Sequence, residues 1–172
     1  MKVKSKDASK IGDKDIKAFE KQFNIKLPLT YCSIIKENNG ATLDSNIANI
    51  ADSNKPSLRS FIKLNEIQKV KSGFEKLPEN FLPFGDDDCG NYFLIELNKE
   101  GSVYFWDHES HDPIKKISKS FISFIESIEP FDFDECEATE AEKNSGWIDP
   151  EFKKLMIAQG LMKPDNPTPL KE

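Results

Sequence analysis

The 172-residue sequence predicts an α+β domain, because amphipathic helical stripes lie on either side of an aromatic hairpin. In the stripes at residues 16–23 and 121–128, apolar side chains recur every three or four positions, the spacing of one helix face. The hairpin joins two runs of aromatic and β-branched residues, 92–97 and 103–106. For a chain of this length we expect one domain with an appendage.

Two helices are predicted before the hairpin. The first begins at Asp13, a favourable N-cap residue, and buries Phe19 and Phe23. The second begins at Pro28, since the first position of a helix tolerates a residue without an N–H group. It ends at residues 38–40, where Asn and Gly can adopt the left-handed conformation that stops a helix.

The region between these helices and the hairpin has weaker patterns. Residues 43–50 and 58–64 show partial alternation and are predicted as strands. Residues 65–70 are predicted as a short helix that ends at Gly73. A break follows at residues 77–78, and no strand is predicted between it and the hairpin.

The hairpin is the strongest β signal in the chain. Its strands are residues 91–97 and 102–106, and the connection between them ends at Gly101, because glycine adopts the positive φ that closes such a loop. Alternation buries at least one face of each strand. We therefore interpret the aromatic stripe as core rather than as an exposed binding platform; its members are Tyr92, Phe93, Tyr104, Phe105 and Trp106.

Two further helices are predicted after the hairpin. Residues 118–128 carry Phe121 and Phe124 on one stripe, with Ser118 as the N-cap, and this helix is expected to lie across the sheet. A short helix at residues 150–160 has Asp before it, Pro at its first position and Gly at its end.

Negative charge is concentrated toward the C-terminal end. The chain has 24 basic and 30 acidic residues, a formal net charge of −6. Residues 131–172 hold 5 of the basic and 10 of the acidic residues, which accounts for −5 of that total. We predict an N-terminal arm at residues 1–12, a folded domain at 13–130 and an acidic extension at 131–172. This balance argues against direct nucleic-acid binding, which needs cations to neutralise phosphates, and favours a basic protein partner.

Three consecutive carboxylates, Asp86, Asp87 and Asp88, stand in a Gly-flanked segment where a metal site is the first hypothesis to test. An EF-hand alternates its ligands and closes with a glutamate, whereas these acids are adjacent. Adjacent side chains point in different directions, so at most two could reach one ion. The sequence therefore favours a solvated acidic turn without a metal.

The histidines and cysteines do not form a recognisable catalytic or zinc-binding set. His108 and His111 could share zinc only on an aligned helix with a third ligand, and no helix is predicted there. Cys32, Cys89 and Cys136 have neither Cys-x-x-Cys spacing nor the surroundings of a nucleophile. The residues thus predict a binding module rather than an enzyme, with no cofactor.

The sequence has no membrane or export signal. No window approaches the roughly 18 to 20 consecutive apolar residues that a membrane span needs, and the N-terminus lacks the apolar region of a signal peptide. We therefore expect a cytoplasmic protein without a membrane partner.

Four short motifs, in a fixed order, resemble the SUKH superfamily. Residues 27–40 are similar to its opening Leu-Pro, aromatic, helix and Asn-Gly signature, and residues 82–93 to its element with Pro, a small residue and Asp before a strand. Residues 103–109 resemble the second hairpin strand that ends in Asp-His, and residues 120–125 the closing Ser-Phe-x-x-Phe helix. Asn91 stands where the family often has Asp. The resemblance covers residues 13–129.

This resemblance implies a curved, mainly antiparallel sheet with flanking helices and no catalytic apparatus. It implies an immunity protein that binds a cognate polymorphic toxin domain, a basic nuclease, and occludes it. The alternative is an intracellular regulator or scaffold similar to the fungal regulators of cell-wall assembly. The partner-binding surface is predicted from residues beside the hairpin and in the acidic extension: Asp86, Asp87, Asp88, Asp107, His108, Asp132, Asp134, Glu135, Glu137 and Glu140.

Overall fold

The computed structural model describes residues 5–43, 46–48, 56–98, 100–130 and 150–159. The chain divides into two units, Met1–Phe131 and Asp132–Glu172. The first unit contains, in chain order, β1 (Ser5–Lys6), α1 (Asp13–Phe23), α2 (Leu29–Asn38), β2 (Thr42–Leu43), β3 (Asn46–Ala48), β4 (Ser60–Phe61), a 3₁₀ turn (Leu64–Glu66), α3 (Ile67–Lys71), β5 (Phe81–Asp86), β6 (Tyr92–Glu96), β7 (Val103–Trp106), β8 (Ile114–Ser118), α4 (Phe121–Ser127) and β9 (Ile128–Pro130).

Within the described ranges, seven strands form one antiparallel sheet in the order β1-β2-β4-β5-β6-β7-β8. Strands β3 and β9 form a separate antiparallel pair. The register shifts between Pro83 and Gly85 and between Val103 and Tyr104, and such irregularities bend a sheet. The predicted α+β class with a mainly antiparallel sheet is confirmed.

Helix α1 covers the predicted residues, but Asp13 does not cap it. Gly12 occupies the N-cap position, and its N–H donates to Asp15 Oδ2 at 2.7 Å. Asp13 lies in the first turn instead, where its carboxylate pairs with Lys36 Nζ of α2 at 2.7 Å. The acidic residue that the sequence suggested as a cap therefore links the first two helices.

Helix α4 begins two residues later than predicted. Ser118 is not its cap, because β8 pairs with β7 as far as the Val103–Ser118 position. Ser120 caps the helix, and its Oγ accepts from Ser123 N at 3.2 Å. The predicted apolar stripe is confirmed, since Phe121 and Phe124 are buried.

The core lies between the helices and one face of the large sheet. Phe84 lies fully buried within it, and its ring approaches five other aromatic rings: Tyr31, Phe61, Phe93, Phe121 and Phe124. Phe23 and Phe105, which were expected in the core, are half-buried at its edge. The hairpin of β6 and β7 forms as predicted, with Gly101 at φ +64°.

Four of the described strands were not predicted: β1, β5, β8 and β9. Of these, β5 is an inner strand of the large sheet. It contains Pro83 and Gly85, residue types that usually interrupt a strand, yet β5 pairs with both β4 and β6. Gly85 is needed there, because a Cβ at this position would overlap Leu58 Cδ1 and lie 2.9 Å from the Ser60 carbonyl oxygen. Another unpredicted strand, β8, follows the hairpin and pairs with β7.

The remaining sequence predictions are met by shorter elements. The strand candidates at 43–50 and 58–64 correspond to β2, β3 and β4, which are two or three residues long. The second unit contains α5 (Pro150–Ala158), which begins at the predicted proline. Among the described residues, no helix has the length and apolar character needed to cross a membrane.

Candidate protein-interaction surface

Two polar turns lie side by side at one end of the large sheet. Residues 86–91 comprise the last residue of β5 and its connection to β6, and residues 107–112 lie in the connection between β7 and β8. The pairing of Tyr92 with Trp106 in β6 and β7 brings the turns together. They contain six carboxylates and no Lys or Arg. We refer to residues 86–91 and 107–112 as the acidic rim.

Asp87 holds the first turn together from within. Its side chain accepts three hydrogen bonds, from Cys89 N at 2.9 Å, Asn91 N at 2.8 Å and Asn91 Nδ2 at 2.8 Å. The residue is only 8% exposed. A carboxylate in this position stabilises the turn and offers little surface to a partner.

Asn91 joins the two turns. Its Nδ2 donates to Asp87, so its Oδ1 faces the second turn and accepts from His108 N at 3.2 Å. The same oxygen lies 2.7 Å from His108 Nδ1, which must therefore carry a proton. The other ring nitrogen, Nε2, lies 3.9 Å from Glu109 Oε1.

Asp86 is neutralised by the single arginine of the chain. Arg59 Nη2 donates to Asp86 Oδ2 at 2.8 Å, and Ser60 Oγ donates to Asp86 Oδ1 at 2.6 Å. The hydrogen bond and charge of Asp86 raise the pKa of the Arg59 guanidinium, which therefore stays charged. This ion pair crosses from the end of β5 to the start of β4.

The exposed groups of the acidic rim come from both turns. The side chains of Asp88 and Glu109 are 71% and 83% exposed, and that of His108 is 41% exposed. Asp88 Oδ1 lies 3.7 Å from Arg59 Nε, at the edge of its ion pair with Asp86. Asp107 Oδ1 accepts from Glu109 N at 3.0 Å and so shapes the second turn.

The structure thus brings together half of the predicted partner-binding residues, at the acidic rim. The other predicted residues lie outside the described part of the chain: Asp132, Asp134, Glu135, Glu137 and Glu140. Sequence reasoning did not select Arg59, Asn91 or Glu109. Asn91 could have been singled out, because it departs from the Asp that the family often has at this position. The contact between Arg59 and Asp86 could not have been found from the sequence, because it depends on the register of β4 and β5.

The acidic rim is suited to binding a cation-rich surface. Within the described ranges, no three His, Cys, Asp or Glu side chains form a group that could hold a metal ion. The buried cysteine, Cys32, is a poor nucleophile, because burial raises the pKa of its thiol. Fixed carboxylates at the end of a rigid sheet instead provide a preformed anionic surface.

Comparison with known proteins agrees with this fold. No curated protein matches the chain. The family model described as the SMI1 / KNR4 family (SUKH-1) matches residues 10–127, which is more than half of the sequence. The match extends from just before α1 to the end of α4 and includes the acidic rim. The order of helices, hairpin and closing helix in this chain is therefore that of a family member, and the chain belongs to the SMI1 / KNR4 family (SUKH-1).

Proposed function

We propose that the chain is an immunity protein, which binds a toxin domain and neutralises it by covering its working surface. Family membership supports this proposal, because the SUKH family covers toxin-immunity proteins as well as SMI1/KNR4 regulators. The observation that carries the proposal is the acidic rim. Arg59 neutralises only one of its carboxylates with a direct hydrogen bond, so the rim keeps a net negative charge.

The partner we propose is a basic domain, and a nuclease toxin is the best candidate. A nuclease must attract phosphates, so its substrate groove is positive. An acidic inhibitor gains association rate and specificity from the complementary charge. Salt screens this attraction, with a Debye length of about 8 Å at physiological ionic strength, so association should slow as salt is added.

Within the rim, we propose a division between contact residues and supporting residues. Asp88, Glu109 and the His108 ring are exposed and would meet the partner directly. Asp87 and Asn91 would support them, because their hydrogen bonds fix the two turns against each other.

The test is growth rescue on co-expression with a toxic domain from a neighbouring gene, using variants in which the charges of the contact carboxylates are reversed. We expect Asp88→Lys combined with Glu109→Lys to reduce growth rescue on co-expression. The association rate at low salt should fall about tenfold, and the difference from wild type should shrink at high salt. The matched control is Glu66→Lys with Glu126→Lys, which makes the same charge change at exposed positions away from the rim.

Three outcomes distinguish the alternatives. If the rim variant protects and associates like wild type, the interface lies elsewhere. If the wild-type chain gives no protection, the regulator or scaffold function is favoured instead. If purified protein turns over a substrate and loses that activity in His108→Ala, the proposed non-catalytic role is wrong.

The acidic extension is the second part of the proposed interface. It carries −5 of the net charge of −6 and would add to the electrostatic attraction of a basic toxin. We expect replacement of five of them by Asn or Gln in the full chain to slow association at low salt. The set is Asp132, Asp134, Glu135, Glu137 and Glu140. An unchanged rate would remove the extension from the proposed interface.

A further inference from the structure

Strand β8 forms one edge of the large sheet. Within the described ranges it pairs with β7 alone and stands last in the strand order. Edge strands offer unpaired backbone groups to other chains. Residues 114–119, which include β8, hold three lysines and no acidic residue. This edge therefore differs in charge from the acidic rim.

The register shows which backbone groups face outward. Asp107 N donates to the Pro113 carbonyl oxygen at 2.8 Å, so these two residues form a hydrogen-bonded pair. Hydrogen-bonded and non-hydrogen-bonded pairs alternate along antiparallel strands. Lys115 therefore bonds to β7, whereas Ile114 and Lys116 direct their N–H and C=O groups toward the open edge.

The same two residues point their side chains toward an aromatic face of the sheet. Ile114 stands opposite Trp106, and Lys116 stands opposite Tyr104 with its Nζ 5.5 Å from the ring centre. The Trp106 ring lies 4.8 Å from that of Phe74. The hairpin therefore buries one aromatic face in the core and leaves Tyr104 and Trp106 half-buried on the other.

A cleft borders this face next to the first residue of β8. Its volume is about 380 Å³, and Phe74, Leu77, Trp106 and Ile114 contribute its apolar walls. Aromatic pockets of this kind take up the anchoring side chains of protein partners. Backbone groups, a cation and an apolar cleft thus meet along one short strand.

We propose that the β8 edge binds an extended segment of a partner protein as an added antiparallel strand. The segment places an acidic residue beside Lys116. Two residues later, an aromatic residue lies beside Ile114 and enters the cleft. Antiparallel pairing sets this order, since the partner strand runs opposite to β8 and alternate residues share a face. This surface is separate from the acidic rim and goes beyond the proposed function.

A second copy of the chain fits this edge less well. If two copies of β8 paired antiparallel along most of their length, Lys115 would lie opposite Lys115 of the second copy, or Lys116 opposite Lys116 of the second copy. Like charges directly opposite each other destabilise a strand pair. Lysines on an edge commonly prevent self-association, and here they also select a strand that carries an acidic residue.

The test uses a fluorescent peptide of about seven alternating threonine and valine residues in which a glutamate stands two positions before a tyrosine. We expect saturable binding to the full chain. Lys116→Glu should weaken that binding about three- to tenfold, and replacing the peptide glutamate with lysine should restore it. Lys119→Glu makes the same charge change outside β8 and should alter binding less than about twofold.

Amide NMR provides a second readout. On peptide binding, the amide protons of Ile114 and Lys116 should shift and exchange more slowly, whereas that of Lys115 already bonds to β7 and should change little. The proposal is overturned if no saturation occurs at millimolar peptide, or if Lys116→Glu and Lys119→Glu weaken binding equally. It is also overturned if the shifts map to the acidic rim, or if the chain forms a dimer that Lys116→Glu dissociates.

Discussion

Asn91 is the residue whose replacement tests the candidate site most directly. Asn91→Asp keeps the shape of the side chain and the oxygen that accepts from His108. It removes the Nδ2 group that donates to Asp87 at 2.8 Å and puts a second carboxylate in its place. The substitution also restores the residue type that the family often has at this turn. Its effect therefore shows whether the connection between the two turns depends on an amide.

The expected cost at neutral pH follows from these contacts. A hydrogen bond to a charged group contributes about 1.5 to 3 kcal/mol. Two unit charges about 4 Å apart repel by about 4 kcal/mol at an effective dielectric constant near 20, and rearrangement of the turn relieves part of this. We expect Asn91→Asp to lower the free energy of unfolding by about 3 kcal/mol or more. Asn91→Ala, which adds no charge, should lower the free energy of unfolding by a smaller amount.

The two variants should also differ in pH dependence. Repulsion raises the folded-state pKa of one carboxyl of the new pair above its unfolded value of about 3.9. Because the protonated form is favoured in the folded state, the extra loss of stability is absent below about pH 4 and grows as pH rises through the raised pKa. The gap between Asn91→Asp and wild type should therefore narrow on acidification.

Urea unfolding of wild type, Asn91→Asp and Asn91→Ala at about pH 7.5 and about pH 4.5 measures these free energies. The reasoning is refuted if Asn91→Asp is no less stable than Asn91→Ala near neutral pH. It is also refuted if the gap between Asn91→Asp and wild type stays the same at the lower pH.

Three further substitutions test the fold. The Tyr31 hydroxyl is buried without a hydrogen-bond partner among the described residues, so Tyr31→Phe should be neutral or stabilise by about 1 kcal/mol in urea unfolding; a loss above about 1 kcal/mol would contradict this. Gly85→Ala should cost about 1 to 3 kcal/mol, because its methyl group would overlap Leu58, and a neutral result in thermal unfolding would show that β4 and β5 can separate. Burial alone would raise the pKa of Glu20, but the hydrogen bonds that its carboxylate accepts from Lys26 and from the Leu27 backbone N–H lower that pKa. The stabilisation from this carboxylate is therefore present above its unfolded pKa of about 4.5 and is lost on acidification. Glu20→Gln should reduce the loss of unfolding free energy at acidic pH, and parallel curves of stability against pH for the variant and wild type would refute this.

The helices and the hairpin could be predicted because their signals are local. Helix α1 occupies the predicted residues 13–23, and the stripe of Phe121 and Phe124 lies buried in α4 as expected. Side chains three and four positions apart share a helix face whatever they later pack against. The caps were less predictable, because Asp13 and Ser118 had competing partners elsewhere in the fold.

Strand β5 could not be read from local pattern. Five of its six residues are buried, so its apolar residues do not alternate with polar ones. Pro83 and Gly85 are usual breakers of strands, and both are accommodated here because the register shifts between them and Leu58 packs directly on Gly85. Tertiary contacts thus overrode the local signals.

At the candidate site, the sequence by itself determined which charged residues the two turns contain, and the tertiary structure decided which of them are paired, buried or exposed. Composition and order place three aspartates in one turn and an Asp-His pair after the hairpin. Sheet register then brings Asp86 to Arg59, which is 27 residues away, and His108 to Asn91, which is 17 residues away. Asp87 is held by Asn91 within its own turn. The side chain of Asp88 is 71% exposed and lies at the edge of the pair formed by Asp86 and Arg59. Arg59 and His108 are distant in sequence from these turns and reach them only when the strands pair, so the local sequence does not show which aspartate is paired with arginine or how the two turns are joined.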